Sequence, residues 1–324
     1  MRILVTGGCG YLGSQLLRVL PELGGEENVE IRTLDNMQGG RPEALMDLPE
    51  TGEYEFIEGD VLDPSVQRAA LRDVDAVVHL AAIVQTPLSF DDPTWVEQVN
   101  HWGTSHLVEA CLEADVQDFV FASSAAVYGP GGPYDEEDPC EPMGAYAESK
   151  HNAEQAVRSA GRRDLRTTVL RLGTAYGPAP VTRYQAVANR FALLAGTGRP
   201  LTIFGEGTQT RPFIHVRDAS DVLCWTLAHR DRTAGQTLNA IGGNASVLDL
   251  VNAVKQAVPN VETRRTEQDI RTHLSFEIDA GEIRDLGWTP SYDLVNGLGE
   301  LIDRLRGFSA PMHLSGDPLE RVDR

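Results

Sequence analysis

The chain alternates short apolar runs with longer stretches whose apolar residues recur every three or four positions. Ile3 to Val5 contains no polar alternation and reads as a strand buried on both faces. Val29 to Leu34 forms a second such run, ended by Asp35, and Tyr54 to Ile57 a third. Ala76 to Ala82 is apolar on both faces and hence central, with His79 expected as a packed strand residue rather than a ligand or base. Asp118 to Ser123 and Thr167 to Leu172 complete the strand series. Helical patterns fill the gaps: a Leu-rich stretch after Gly13, one starting at Asp63-Pro64, and runs from Pro93 to Ala114 and Tyr146 to Gly161. Asp63 suits the cap and Pro64 the first helical position. Strand and helix thus alternate six times, which predicts an α/β fold built on a doubly wound parallel sheet in residues 1–172.

Beyond Leu172 the texture changes. Gly177-Pro178, Pro180, Gly196, Gly198 and Pro200 interrupt the chain and the regular runs shorten. Residues 173–308 are expected to form mainly a smaller lobe over the first, with about 213–240 returning to the first domain. Residues 309–324 are polar and read as a loose tail.

The first strand breaks into Gly7, Gly10 and Gly13, and a helix begins at once. Unpaired backbone N–H groups and a helix's positive end then converge on one point, a device for holding a pyrophosphate. Side chains at 7 or 10 would hold the anion off the backbone, and one at 13 would separate helix from strand. Asp35 ends the second strand about 20 residues beyond the last glycine, where a carboxylate accepts hydrogen bonds from ribose hydroxyls and repels a 2′-phosphate. No basic residue directly follows it, so NAD is favoured over NADP. In such sheets ligands sit at the carboxyl ends of the strands, so Asp60, Ala81 and Ser123 should line the same crevice.

Two further constellations carry chemistry. Ser123-Ser124 closes the fifth strand, and Tyr146-Ala147-Glu148-Ser149-Lys150 opens a helix. Tyr146 and Lys150, four apart, share one helical face. An ammonium beside a phenol favours the phenolate and makes a base usable near neutral pH, while Ser124 can bond the same substrate oxygen. Lys150 is one of only two lysines, with Lys255. The formal charge of −20 makes nucleic acid an unsuitable partner. No run of about 18 apolar residues suggests a membrane span. Cysteines 9, 111, 140 and 224 lack metal or disulfide spacing, so no metal is expected. With no charged-then-apolar leader at the start, a cytoplasmic protein is expected.

Taken together, TGGCGYLG (6–13), LDN (34–36), GDVLD (59–63), HLAA (79–82), Asn100, SSAAVYG (123–129), YAESK (146–150), YGP (176–178) and RPFIHVRD (211–218) resemble the extended short-chain dehydrogenases/reductases. That group includes nucleotide-sugar epimerases, dehydratases and decarboxylases. The resemblance implies a Rossmann domain and places Gly7, Gly10, Tyr11 and Leu12 on the pyrophosphate. It puts Asp35 and Asn36 on the adenosine ribose, and Asp60 and Val61 beside the adenine. Leu80, Ala81, Ala82 and Asn100 would line the path to the nicotinamide, with Tyr176 beside it. Ser124, Tyr146 and Lys150 would be the catalytic group, and Lys150 would also bond the nicotinamide ribose. Thr174 and Arg211 would hold the substrate diphosphate, Thr174 standing where many epimerases carry Asn. Ala125 and Ala126 stand where dehydratases carry an acid pair and decarboxylases a Glu.

The resulting expectation is an NAD-dependent nucleoside-diphosphate-sugar epimerase, acting at C4 through a 4-keto intermediate. A homodimer is implied through the helices at 93–114 and 146–161. A 4-ketosugar reductase with exchangeable cofactor and a non-catalytic NAD sensor are the alternatives. Net NADH consumption would mark the reductase, and binding without turnover the sensor.

Overall fold

The computed structural model describes residues 1–25, 28–84, 92–266 and 275–305; the expected tail at 309–324 lies outside them. Strands β1 (Arg2–Thr6), β2 (Val29–Asp35), β3 (Gly52–Glu58), β4 (Ala76–His79) and β5 (Asp118–Ser124) belong to one parallel sheet. A short β6 (Gly131–Tyr134) leaves it, β7 (Arg166–Leu172) rejoins it, and with β11 (Thr237–Ala240) at the edge the order is β11-β7-β5-β4-β1-β2-β3. Strand order reverses between β1 and β4, and such a switch point opens a crevice at the carboxyl ends.

Both faces of the sheet are covered, which is why its strands lack alternation. On one face Ile3 and Val5 meet Leu16 and Leu17 of helix α1 (Tyr11–Val19). On the other, Leu4, Val77, Phe119 and Phe121 pack with Leu107, Ala153 and Val157. Burying each such side chain contributes about 1.5–3 kcal/mol. The edge strand β3 is exposed at most positions, as its mixed sequence Gly52-Glu53-Tyr54-Glu55 suggests.

Helix α2 (Pro64–Ala70) starts as expected, with Asp63 accepting the Ser65 N–H at 2.8 Å. The helix expected from 93 to 114 is instead α3 (Pro93–Glu97), a π turn (Gln98–Trp102) and α4 (Gly103–Glu113). The cause is Asn100. Its amide brackets Ile83, accepting from the backbone N–H at 2.8 Å and donating to the carbonyl at 3.0 Å. The Thr104 hydroxyl donates to the Asn100 carbonyl at 2.5 Å, so side chains replace part of the helical ladder. The fourth strand ends at His79 rather than Ala82. Leu80 N–H still reaches the Thr6 carbonyl at 3.1 Å, but Ala81 N–H turns to the Thr6 hydroxyl at 3.3 Å.

Helix α5 (Ala145–Ala160) packs on β5 and β7. Downstream, β8 (Thr174–Tyr176), β10 (Thr210–His215) and β12 (Gly243–Ser246) make a separate three-stranded sheet. Two further pairs are β9 (Leu201–Phe204) with β13 (Thr263–Thr266), and β6 with β14 (Phe276–Ile278). Helices α6 (Val187–Gly196), α8 (Val247–Ala257) and α9 (Leu294–Leu305) share a core of Phe191, Leu201, Phe213, Leu250, Leu298 and Leu301. Between them α7 (Val216–Ala228) packs against α1, and β11 (Thr237–Ala240) pairs with β7. Among the described residues no helix is long and apolar enough to cross a membrane.

Candidate active site

The glycine turn has the form an anion cradle requires. Gly7 adopts φ +70°, and a Cβ there would lie 2.7 Å from the Ala81 nitrogen. A Cβ on Gly13 would lie 2.5 Å from both the Gly7 carbonyl oxygen and Gly8 Cα, so only glycine lets α1 approach β1. At Gly10 the nearest atom would be the Gly7 oxygen at 3.3 Å, a tight but lesser obstacle. Helix α1 begins without a side-chain cap or an acidic residue in its first turn, which leaves its N–H groups for an anion. Leu12 packs beneath against the core.

Asp35 is buried where strand β2 ends. It accepts the Cys9 N–H at 2.9 Å and the Met37 N–H at 2.9 Å, tying the glycine turn to the second strand. Burial pushes its carboxyl up, and these two bonds oppose that rise. Asn36 donates to Asp60 at 3.0 Å, while Asp60 accepts the Leu62 N–H at 2.8 Å beside the buried Val61. Leu80, Ala81 and Ala82 follow β4, each half-buried, beside the glycine turn. These residues form one continuous wall that fits a dinucleotide.

Asn100 is spent inside that wall: its amide also donates to the Ser149 hydroxyl at 3.1 Å, which joins the β4 end to α5. Ser123 is likewise turned inward, donating to Glu154 at 2.5 Å. Tyr176 is 2% exposed and lies edge-on to Phe213 and His215 in the second lobe. His79 is a packed strand residue, as its apolar surroundings imply. Thr6 and Thr104 hydroxyls meet its two nitrogens at 2.6 and 2.9 Å, and burial lowers its pKa to about 3.

The residues expected to be catalytic come together across β5 and α5. The Ser124 side chain at the end of β5 acts on the Tyr146 phenol and favours its ionised form. Lys150, buried one turn further on, donates to the Ala122 carbonyl at 2.8 Å and lies 4.6 Å from the Phe121 ring centre. Burial lowers Lys150 to about 7, and the Glu154 carboxylate opposes that fall. Burial raises the Tyr146 phenol, while Ser124 and the Arg183 guanidinium pull it back down. Positive charge reaches the phenol from Arg183, a residue no sequence motif indicates.

Arg183 lies in the loop after Gly177-Pro178 and donates to the Val84 carbonyl at 2.8 Å. Asn189, fully buried on α6, accepts the Gly177 N–H at 2.8 Å and donates to the Arg183 carbonyl at 3.0 Å and the Tyr11 hydroxyl at 3.1 Å. The Tyr11 hydroxyl in turn donates to the Gly177 carbonyl at 2.6 Å. One amide therefore joins the glycine turn to the second lobe. Thr174 and Arg211 lie on adjacent strands β8 and β10, both half-buried, and burial lowers the Arg211 guanidinium. Ala125 is buried in the core and Ala126 N–H donates to the Ser124 hydroxyl at 3.2 Å, so no carboxylic acid follows Ser124 directly.

Comparison with known proteins agrees with this geometry. A UDP-glucose 4-epimerase from Azospirillum brasilense is 34% identical, over 92% of this chain and 89% of its own. A dTDP-glucose 4,6-dehydratase from Streptomyces griseus is 31% identical, covering 93% and 92%. The structure also matches UDP-glucuronic acid 4-epimerase from Bacillus cereus, solved with UDP-glucuronic acid and NAD, at TM-score 0.84 and 26% identity over 94% of this chain and 99% of that one. Residues 3–241 match the family model described as NAD dependent epimerase/dehydratase. With its glycine cradle, Asp35 and the β5–α5 constellation in place, the chain belongs to the NAD-dependent epimerase/dehydratase family, and its cofactor is NAD.

Proposed function

We propose that this protein epimerises a nucleoside-diphosphate sugar at C4 through a 4-keto intermediate. The observation that carries the reading is the β5–α5 pairing: Ser124 on the Tyr146 phenol, and Lys150 one turn away, at the end of a dinucleotide crevice. Bound NAD supplies a reversible two-electron acceptor for C4 of the sugar. Tyr146 takes the proton of the 4-hydroxyl and later gives one back, and Ser124 holds that oxygen. Arg183 favours the phenolate, and we assign Lys150, one helical turn from Tyr146, the same role. Thr174 and Arg211 are the residues we assign to the diphosphate, where a guanidinium fork suits phosphate oxygens. Trp102, 49% exposed on the π turn beside α5, supports a homodimer through these helices, which light scattering would show.

Dehydration is the competing reading within the family, and Ala125 and Ala126 speak against it. Eliminating the 6-hydroxyl needs a base at C5 and an acid at C6, and general acid–base help is worth about 10²–10⁴-fold. Neither alanine can move a proton. The purified enzyme is expected to interconvert C4 epimers from a panel of UDP-, dTDP-, GDP- and CDP-hexoses without net NADH change. Tyr146→Phe should retain NAD and lose roughly 10²–10⁴-fold in turnover. Stoichiometric accumulation of the alkaline chromophore of a 4-keto-6-deoxy sugar would overturn the assignment, as would wild-type rates in Tyr146→Phe.

A further inference from the structure

Three successive residues of β5 are each tied to a different turn of α5. Ser124 meets Tyr146, the Ala122 carbonyl accepts from Lys150 at 2.8 Å, and Ser123 donates to Glu154 at 2.5 Å. The helix partners at 146, 150 and 154 are spaced by four and so lie along one face. Two of these ties concern the reacting groups themselves. The third ends on a carboxylate with 0% exposure, held by Arg171, itself 1% exposed.

Glu154 is the most heavily bonded side chain in this part of the fold. One oxygen accepts from Ser123 and from Arg171 Nε at 3.1 Å; the other accepts from Arg171 Nη2 at 2.9 Å and Arg158 Nη2 at 3.1 Å. The Arg171 guanidinium lies 4.6 Å from the Tyr128 ring centre, and its Nη1 has no partner among the described residues. A buried ion pair is a poor choice for stability alone. Its desolvation penalty rivals its attraction, and an apolar pair of equal volume is often as stable or more so. What distinguishes this pair is its position one helical turn beyond Lys150.

We propose that Glu154, fixed in place by Arg171, is the positioning residue of the catalytic lysine: it seats α5 on β5 and holds a carboxylate one helical turn from the Lys150 ammonium. The inference rests on Tyr146 and Lys150 being the reacting pair. Lys150 is otherwise surrounded by groups that disfavour an ammonium. Burial lowers it, to about 7 even with the Glu154 carboxylate acting against that fall; from β4 it faces His79, neutral at that pH, and from β5 the Phe121 ring and the Ala122 carbonyl. On its own helix stand Tyr146, neutral until it reacts, and Glu154. Among the described residues Glu154 is the carboxylate acting on Lys150, and it acts to retain the proton. Around Glu154 itself lie Arg171 from β7, Arg158 and His151 from α5, and Cys140 from the preceding loop. Without Glu154, Arg171 would be an unpaired buried cation and Arg158 a half-exposed one, both near an ammonium. Lys150 would then give up its proton at lower pH, and the phenolate would lose its neighbour on the alkaline side.

The composition offers a direct test, because the chain has only two lysines. Protein labelled with [13Cε]lysine and saturated with NAD should show two titrating lysine resonances, with exposed Lys255 as the internal reference. In Glu154→Gln the Lys150 midpoint should fall by about one pH unit, and the alkaline limb of kcat/KM should move down with it. If that variant does not fold, Glu154→Gln with Arg171→Met removes the orphaned cation; the Lys150 midpoint should still fall, by less, because a cation is lost along with the carboxylate. A Lys150 midpoint unchanged in the folded variant overturns the proposal, as does a rate loss that is uniform across pH. The titration needs no turnover, so it stands apart from the epimerase assignment, which is judged by Tyr146→Phe.

Discussion

The two walls of the cleft are built in opposite ways. The cofactor wall comes from contiguous pieces of chain at strand ends: Gly7 to Gly13 after β1, Asp35 and Asn36 after β2, Asp60 and Val61 after β3. Its hydrogen bonds run mostly between neighbouring parallel strands, as in Cys9 to Asp35 and Asn36 to Asp60. The wall we assign to the substrate has few such local anchors. Tyr11 reaches Gly177 across 166 positions, Asn189 reaches Tyr11 across 178, and Arg183 reaches Val84 across 99. A wall whose parts are adjacent in sequence is fixed by local backbone rules. One assembled across the whole chain is fixed by a few buried polar groups, and those groups carry the lobe arrangement.

The largest effect should come from breaking the cofactor wall at its tightest point. Gly13→Ala places a methyl 2.5 Å from backbone atoms on two sides, and backbone cannot swing away as a side-chain tip can. Overpacking of this kind costs about 1–3 kcal/mol, and at the upper end that is roughly a hundredfold in NAD affinity. Calorimetric titration with NAD should show it, alongside a lowered Tm. Gly10→Ala, whose nearest obstacle is 3.3 Å away, should be distinctly milder. Equal losses in the two variants would mean that packing of α1 on β1 is not what the glycines protect.

The substrate wall should break differently. Asn189→Ala orphans the Gly177 N–H and the Arg183 carbonyl together, each such loss costing about 1–3 kcal/mol. Stability should fall, and KM for the sugar nucleotide should rise several-fold while NAD affinity stays within about twofold. If NAD affinity falls as far as sugar affinity, the two walls are not separable, and the comparison fails.

The same division explains what was legible in the sequence. The parallel sheet covered on both faces follows from runs such as Ile3 to Val5 and Ala76 to Ala82, because burial on both faces erases alternation. Tyr146 and Lys150 were legible because four-residue spacing is itself geometry. The π turn at Gln98–Trp102 was not, since it arises from Asn100 bonding the backbone of Ile83, a contact without any local signature. Arg183 and Asn189 were missed for the same reason: they sit in a Pro/Gly-interrupted stretch and acquire meaning only when the second lobe folds back. Glu154 did carry a signal, its position four beyond Lys150, but nothing in one sequence separates that from an ordinary helical charge.

The most discriminating effect concerns Asp35, where both functions of the cofactor wall meet. Each of its oxygens already accepts a backbone N–H, from Cys9 and Met37, so part of its work is holding the glycine turn. The remaining lone pairs face the ribose in our reading, and the charge repels a 2′-phosphate. Asp35→Ala should therefore weaken NAD by about tenfold, the scale of one hydrogen bond to a charged group, and raise the NADP-to-NAD affinity ratio. Asp35→Asn keeps acceptor oxygen for one backbone bond and removes the charge, so it should spare more of the NAD affinity while relaxing selectivity as fully. Burial raises the Asp35 carboxyl, so NAD affinity in the wild type should begin to fall at a higher pH than an ordinary aspartate would set, and this acid limb should vanish in both variants. A variant that loses NAD affinity with its NADP-to-NAD ratio unchanged would show that Asp35 serves the turn alone, and that selectivity is set elsewhere on the wall.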